Sequence, residues 1–355
     1  MCTRVFNNAT NDFLTTARNM DWQTPLATSL FCFNKGLNKT GCEKITNKTL
    51  EWKSEYSSIV TMLGEGHDLA ASEGVNSEGL VANALFNTDA SYQSNFASFD
   101  KQLDVTRWVQ YVLDTCKYVS EVVDKFADDS PLKIQLINKK MPTTDIDLLM
   151  HLAVSDIYGD SAIIEVCNGI FNVYHSDNFK VMTNKPEYET QILLNVSARY
   201  HWGHDNPMPS QMVPGGPQAV ERLQRATYYL GKTEETYSAQ ESIAQTRAII
   251  ANTAVPIGFR LSSVNQDEID ETQWSSVSDH NNHTYYFYNS RTQDVCYCAL
   301  NDVNFIDDVL TLDLIERKGQ MYVQNMHAGL INHKFKAAED PFKTLDDMVV
   351  EKIIA

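Results

Sequence analysis

The chain has 355 residues, 43% of them apolar and 21% charged, which excludes a disordered polymer and suffices for one large domain or two small ones, a single domain over residues 1–355 being the expectation. Its formal charge of −17 argues against nucleic acid or an anionic membrane as the main partner and does not forbid an anionic small substrate, because a local pocket can differ from the whole. No apolar run approaches a membrane span, and Met1-Cys2-Thr3-Arg4 lacks the regions of a signal peptide, so the chain reads as cytoplasmic as written, or periplasmic if a signal has been removed.

In chain order, Cys2–Phe6 reads as a strand, Asn7–Asp12 as a turn, and Thr15–Asp21 as the returning arm of a hairpin. Further strands are expected at Ser29–Phe33, Ser58–Leu63 and Gly79–Phe86. Over Thr106–Phe126, Trp108, Val109, Val112, Leu113, Cys116, Val119, Val122, Val123 and Phe126 recur at period 3.6, predicting one helix. Strands His151–Val154 and Ala162–Val166 follow. Asn195–Gly216 is polar and proline-containing, an exposed loop or an oligomerisation arm docking on a partner. Gln218–Leu230 and Thr236–Ile250 read as helices broken at Gly231, and Thr284–Tyr288, Val295–Leu300 and Leu310–Leu314 as strands. This alternation points to a layered α+β fold. Gly-x-Gly-x-x-Gly and P-loop patterns are absent, so no nucleotide fingerprint exists.

Seven cysteines occur, without a Cys-x-x-Cys pair, and are read as thiols; Cys296 and Cys298 would share one face of a strand as small core residues. His201-Trp202-Gly203-His204 has the look of half a metal site, but nothing selects further ligands and a solvated loop is the simpler reading. No metal and no organic cofactor are called for.

Cys2 carries the most chemistry. Removal of Met1 would leave a free α-amine and a thiol on one residue, a nucleophile with its own base. An α-amine ordinarily titrates near pH 7.7–8.0, so a useful fraction is uncharged at neutral pH. A hairpin returning through Ala17-Arg18-Asn19-Met20-Asp21-Trp22 would place a guanidinium and a carboxylate beside Cys2, the first favouring thiolate and the second orienting the amine.

These residues resemble the choloylglycine hydrolases, a family of N-terminal-nucleophile amidases that includes bile salt hydrolases and penicillin V acylases. The matching segments, in order, begin with Met1-Cys2-Thr3-Arg4, Ala17–Trp22 and Glu73–Leu80. They continue with Asp156–Ser161 followed by Ile164-Glu165, then Val181-Met182-Thr183-Asn184-Lys185-Pro186, and Pro214-Gly215 followed by Glu221-Arg222-Leu223-Gln224-Arg225-Ala226. The resemblance implies a four-layer αββα sandwich, hydrolysis of a linear amide through a thioester, and a homotetramer. It also implies Cys2 as nucleophile, Arg18 and Asp21 at its sulfur and amine, Asn184 as an oxyanion donor, and Arg225 closing the polar network.

The substrate rests on departures. The position that is Asn in bile salt hydrolases aligns here with Phe86, while Asn87 follows and a one-residue shift would restore the amide. Trp22 after Asp21 resembles the Gram-negative branch of penicillin V acylases and acyl-homoserine lactone-cleaving enzymes. Trp22 and Phe86 would favour a flat phenoxyacetyl group or a fatty acyl chain, if they are not simply core. Competing readings are a bile salt hydrolase and a catalytically silent acyl-amide binding protein. Pocket shape is expected to depend on loops around residues 22–30, 60–68, 86–96 and 130–142.

Overall fold

The computed structural model describes residues 2–93, 98–202, 213–259 and 270–343. Two sheets face each other. The smaller runs Val181–Met182, β1 (Cys2–Asn7), β2 (Thr15–Trp22), Glu271–Asp279, Thr284–Asn289, Val295–Ala299 and Gly329–Leu330. The larger runs Ile170–His175, Ser161–Cys167, Met150–Ser155, Val81–Phe86, Asp68–Asn76, Ser58–Glu65, β3 (Thr28–Phe33), Val309–Lys318 and Met321–Gln324, with Lys336–Ala337 also paired to Val309–Lys318. Helices α1 (Trp108–Thr115) and α2 (Val119–Phe126) cover the larger sheet. A third helix, α3 (Tyr188–Trp202), leads to α4 (Ala219–Leu230) and α5 (Ala239–Ala251), which cover the smaller one. The result is a four-layer αββα sandwich, the α+β architecture expected.

Period-two alternation explains why β1 and β2 can be buried on both faces. In β1, Val5 packs with Ala17, Leu223, Ala226, Ile249 and Ile250 beneath the helices. Cys2 faces the other way, into the core between the sheets. Arg4 shares that inner face, where its guanidinium bonds Ser161 Oγ and the carbonyls of Val154, Phe179 and Lys180. Cys296 and Cys298 are buried on one face, as expected, and all seven cysteines are free thiols.

Three elements differ from expectation. The helix predicted over Thr106–Phe126 is broken: after a 3₁₀ turn at Val105–Arg107, α1 ends at Thr115, Cys116 is extended, and α2 starts anew. The Glu121 carboxylate accepts from the Lys117 and Tyr118 amides, and Asp156 Oδ2, distant in the chain, accepts from the Val119 amide, so a local and a tertiary cap win over a continuous apolar stripe. Glu271–Asp279, unmarked by hydrophobic alternation, is a fully buried central strand; its Ser275 and Gln273 are bonded rather than solvated. The start of the Asn195–Gly216 arm is helical through Trp202, while residues 203–212 lie outside the described residues, as do Gly203 and His204 of the histidine motif.

Candidate active site

The β1–β2 hairpin sets Cys2 opposite Met20 and Arg4 opposite Arg18. Arg18 and Met20 share the inner face with the Cys2 sulfur, while Asp21, three residues from Arg18, falls on the helix side. Arg18 Nη2 lies 3.5 Å from Cys2 Sγ and 3.3 Å from Met20 Sδ. Its Nη1 donates to Ser72 Oγ at 2.5 Å, Ser72 O at 3.1 Å and Glu73 Oε2 at 3.1 Å. Burial works against the Arg18 charge, but Cys2 and Glu73 outweigh it and hold the guanidinium above its ordinary range.

The Cys2 backbone nitrogen, which becomes the α-amine once Met1 is gone, donates to Asn184 Oδ1 at 2.8 Å. Asn184 comes two residues after the Val181–Met182 strand, whose pairing of Met182 with Arg4 carries it alongside the start of β1. Its Nδ2 donates to Phe86 O at 2.6 Å, tying the loop to the opposite sheet.

Arg222 closes this network, which corrects the expectation for Arg225. Arg222 Nη1 donates to Cys2 O and to Thr3 Oγ1, each at 2.5 Å, and Nη2 donates to Asn184 Oδ1 at 2.8 Å. Asp21 Oδ2 lies 3.6 Å from Arg222 Nη1, and Asp21 Oδ1 accepts from Thr272 Oγ1 at 2.6 Å. Arg225 sits almost one turn further along α4, where it donates to the carbonyls of Pro214, Gly216 and Asn252. A signal for Arg222 existed: Ala219, Arg222, Leu223 and Ala226 form the buried i, i+3, i+4, i+7 stripe of α4, and Arg225 is off it. Burial lowers the Arg222 guanidinium, with Asp21 and Cys2 opposing, and raises the Asp21 carboxyl, with Arg222 opposing.

Beyond the sulfur lies an apolar pocket. Met20, Trp22, Leu63, Ala70, Ala71, Phe86, Val105, Met141, Leu148 and Met150 line it together with Cys2, Arg18 and Ser72; Trp22, Leu63 and Phe86 stand in strands, so strands as well as loops shape it. Trp22 and Phe86 meet edge to face at 5.2 Å and 81°. Only about 10 Å³ is open inside, roughly one water, so an acyl group enters by displacing side chains. Three of those are methionines, unbranched and able to repack. Asn87 is not part of this wall, correcting the alternative alignment: its Nδ2 donates to Glu165 Oε1 at 3.2 Å beside His151. Phe86 therefore occupies the position, because the alternation of its strand turns residue 87 away.

The family model for linear amide C–N hydrolases of the choloylglycine hydrolase family matches residues 2–316. The chain belongs to the choloylglycine hydrolase family. It is thus a hydrolase of linear amide C–N bonds, as the resemblance implied. Over 365 aligned residues it is 32% identical to penicillin V acylase of Pectobacterium atrosepticum, covering 96% of this chain and 91% of that one. Penicillin V acylase of Agrobacterium tumefaciens superposes with a TM-score of 0.79 at 30% identity, covering 96% of this chain and 99% of the other. The C2A mutant of conjugated bile acid hydrolase from Clostridium perfringens superposes with a TM-score of 0.72 at 17% identity over 93% and 98%, a likeness of fold.

Proposed function

We propose that this amide hydrolase acts through Cys2 as an N-terminal nucleophile on acyl amides of the penicillin V or N-acyl-homoserine lactone kind. The observation that carries the reading is the position of Cys2: its sulfur lies on the wall of the apolar pocket beside Arg18, and its nitrogen is held on Asn184. The α-amine takes the thiol proton as sulfur attacks the acyl carbonyl, and the second N–H of the Asn184 amide stabilises the oxyanion. The resulting ammonium protonates the leaving nitrogen as the C–N bond breaks. Water, activated by the same amine, then releases the acid from the thioester.

Away from Cys2, Arg18 and Ser72 the lining is apolar, and with the Trp22–Phe86 pair it supports a flat aryl or flexible alkyl acyl group over a rigid steroid. A homotetramer is part of the proposal, supported by exposed Leu193, Leu194 and Val196 on α3, and light scattering tests it. The decisive experiment measures amine release from penicillin V, a long-chain acyl-homoserine lactone and glycocholate. Cys2→Ala and a protein retaining Met1 run beside each. Cleavage of either of the first two, lost in both controls, is expected. Full turnover by Cys2→Ala refutes the nucleophile, preference for glycocholate refutes the substrate class, and stoichiometric binding without release points to a binding protein.

A further inference from the structure

Behind Arg18 lies a buried relay that the reaction as written does not use. Glu73 is almost wholly buried; its Oε2 accepts from Arg18 Nη1 at 3.1 Å and from Asn83 Nδ2 at 3.3 Å. Its Oε1 accepts from the Tyr285 hydroxyl at 2.5 Å, and that hydroxyl accepts in turn from Thr61 Oγ1 at 2.7 Å. Strands of both sheets thus converge on one carboxylate, and Arg18 stands between it and the Cys2 sulfur. Such a pair costs solvation and is kept rigid only by being fully bonded. Glu73 is not part of the pocket wall, so it reaches the substrate only through Arg18.

We propose that Glu73 is a positioning residue for the hydrolysis: it clamps Arg18 against the Cys2 sulfur and sets how much of the arginine's charge the sulfur receives. The assignment rests on Cys2 being the nucleophile. Because Glu73 shares the Arg18 guanidinium, less of the positive charge falls on the Cys2 sulfur, whose proton passes to the α-amine during attack. More positive charge on the sulfur side would make the thiolate less basic and, per ionised sulfur, less nucleophilic, because thiolate nucleophilicity falls with basicity. The charged groups involved are Arg18 and Asp21 from β2 and Arg222 from α4 around Cys2. Around Glu73 the charged group is Arg18, with Tyr285, Ser72, Asn83 and Thr61 neutral.

The test is the rate of iodoacetamide alkylation of Cys2 against pH, followed by mass spectrometry in the full-length mature protein, with kcat and KM measured alongside. Glu73→Gln removes the countercharge while keeping a side chain that can hold Arg18. Its alkylation midpoint is expected to move to lower pH, giving about tenfold faster alkylation on the acid side, with kcat reduced several-fold and KM within about twofold. Tyr285→Phe keeps the carboxylate but strips a donor from it, concentrating its charge on Arg18, so the midpoint is expected to move the other way. A merely structural role would loosen Arg18 in both variants and raise both midpoints. Glu73→Gln with an unchanged or raised midpoint overturns the proposal. If that variant does not fold, an unchanged or lowered midpoint in Tyr285→Phe overturns it. Alkylation reads the sulfur directly, so a failure here is distinct from turnover by Cys2→Ala, which would remove the nucleophile itself.

Discussion

Arg222→Gln and Arg225→Gln, made side by side, separate the arginine inside the Cys2 network from the one outside it. Arg222 holds Asn184 Oδ1 at 2.8 Å and Cys2 O at 2.5 Å, so its loss frees both the nucleophile and the oxyanion amide. Losing one oriented oxyanion donor costs about 2.7–4 kcal/mol, or roughly 10²–10³ in kcat. The same change removes from buried Asp21 the Arg222 guanidinium at 3.6 Å. Breaking a buried pair in this way destabilises by about 3–5 kcal/mol. The sign with pH follows: burial already raises the folded Asp21 carboxyl above its unfolded value, and removing Arg222 raises it further. The folded state then binds more protons than the unfolded chain, so stability is greatest below the unfolded value and is lost as pH rises through the folded one. Arg222→Gln should therefore lose less stability at pH 5 than at pH 8 in urea melts. Arg225→Gln gives up bonds to three carbonyls outside the network, so stability falls by about 1–3 kcal/mol while kcat stays within about threefold. Equal loss of kcat in both variants, or full activity in Arg222→Gln, would refute this account of the site.

Phe86→Ala enlarges a pocket now open by only about 10 Å³, and KM for bulky acyl groups should fall several-fold relative to short ones in amine-release assays. Ala71→Leu, filling the same pocket, should do the reverse. Burial holds His280 down to about 3, with its Nδ1–H on Gly79 O, so the folded protein binds fewer protons there than the unfolded chain. Stability is then full above about pH 6.5 and is lost as pH falls toward 3, and His280→Gln should flatten that acid slope in thermal melts. Lys39 and Asp114 form a fully buried ion pair at 3.1 Å. Lys39→Met alone should cost about 3–5 kcal/mol in urea unfolding, and adding Asp114→Leu should recover most of it.

Much of this protein was determined by its sequence. Cys2 and the Arg18–Asp21 segment lie where residue types point to strands and to their chemistry, while Asn184 is marked only by the family resemblance. The strand alternation that buries Cys2 and Arg18 is a local property, as is the break between the helices at Gly231. What remained hidden depends on contacts across the layers. Glu271–Asp279 carries too much Ser, Thr and Gln to read as a central strand, yet it is one because its polar groups find partners on β2 and its neighbours. The interruption after Thr115 depends on Asp156, distant in the chain, meeting the Val119 amide. Arg222 rather than Arg225 faces Cys2 because α4 packs on β1 with one particular stripe, and only docking selects which residue ends opposite the nucleophile. The Glu73–Tyr285 relay joins residues more than two hundred positions apart, and nothing local to either one specifies that they meet. Local periodicity assigns each side chain a face, and the packing of one sheet on the other decides what that face meets.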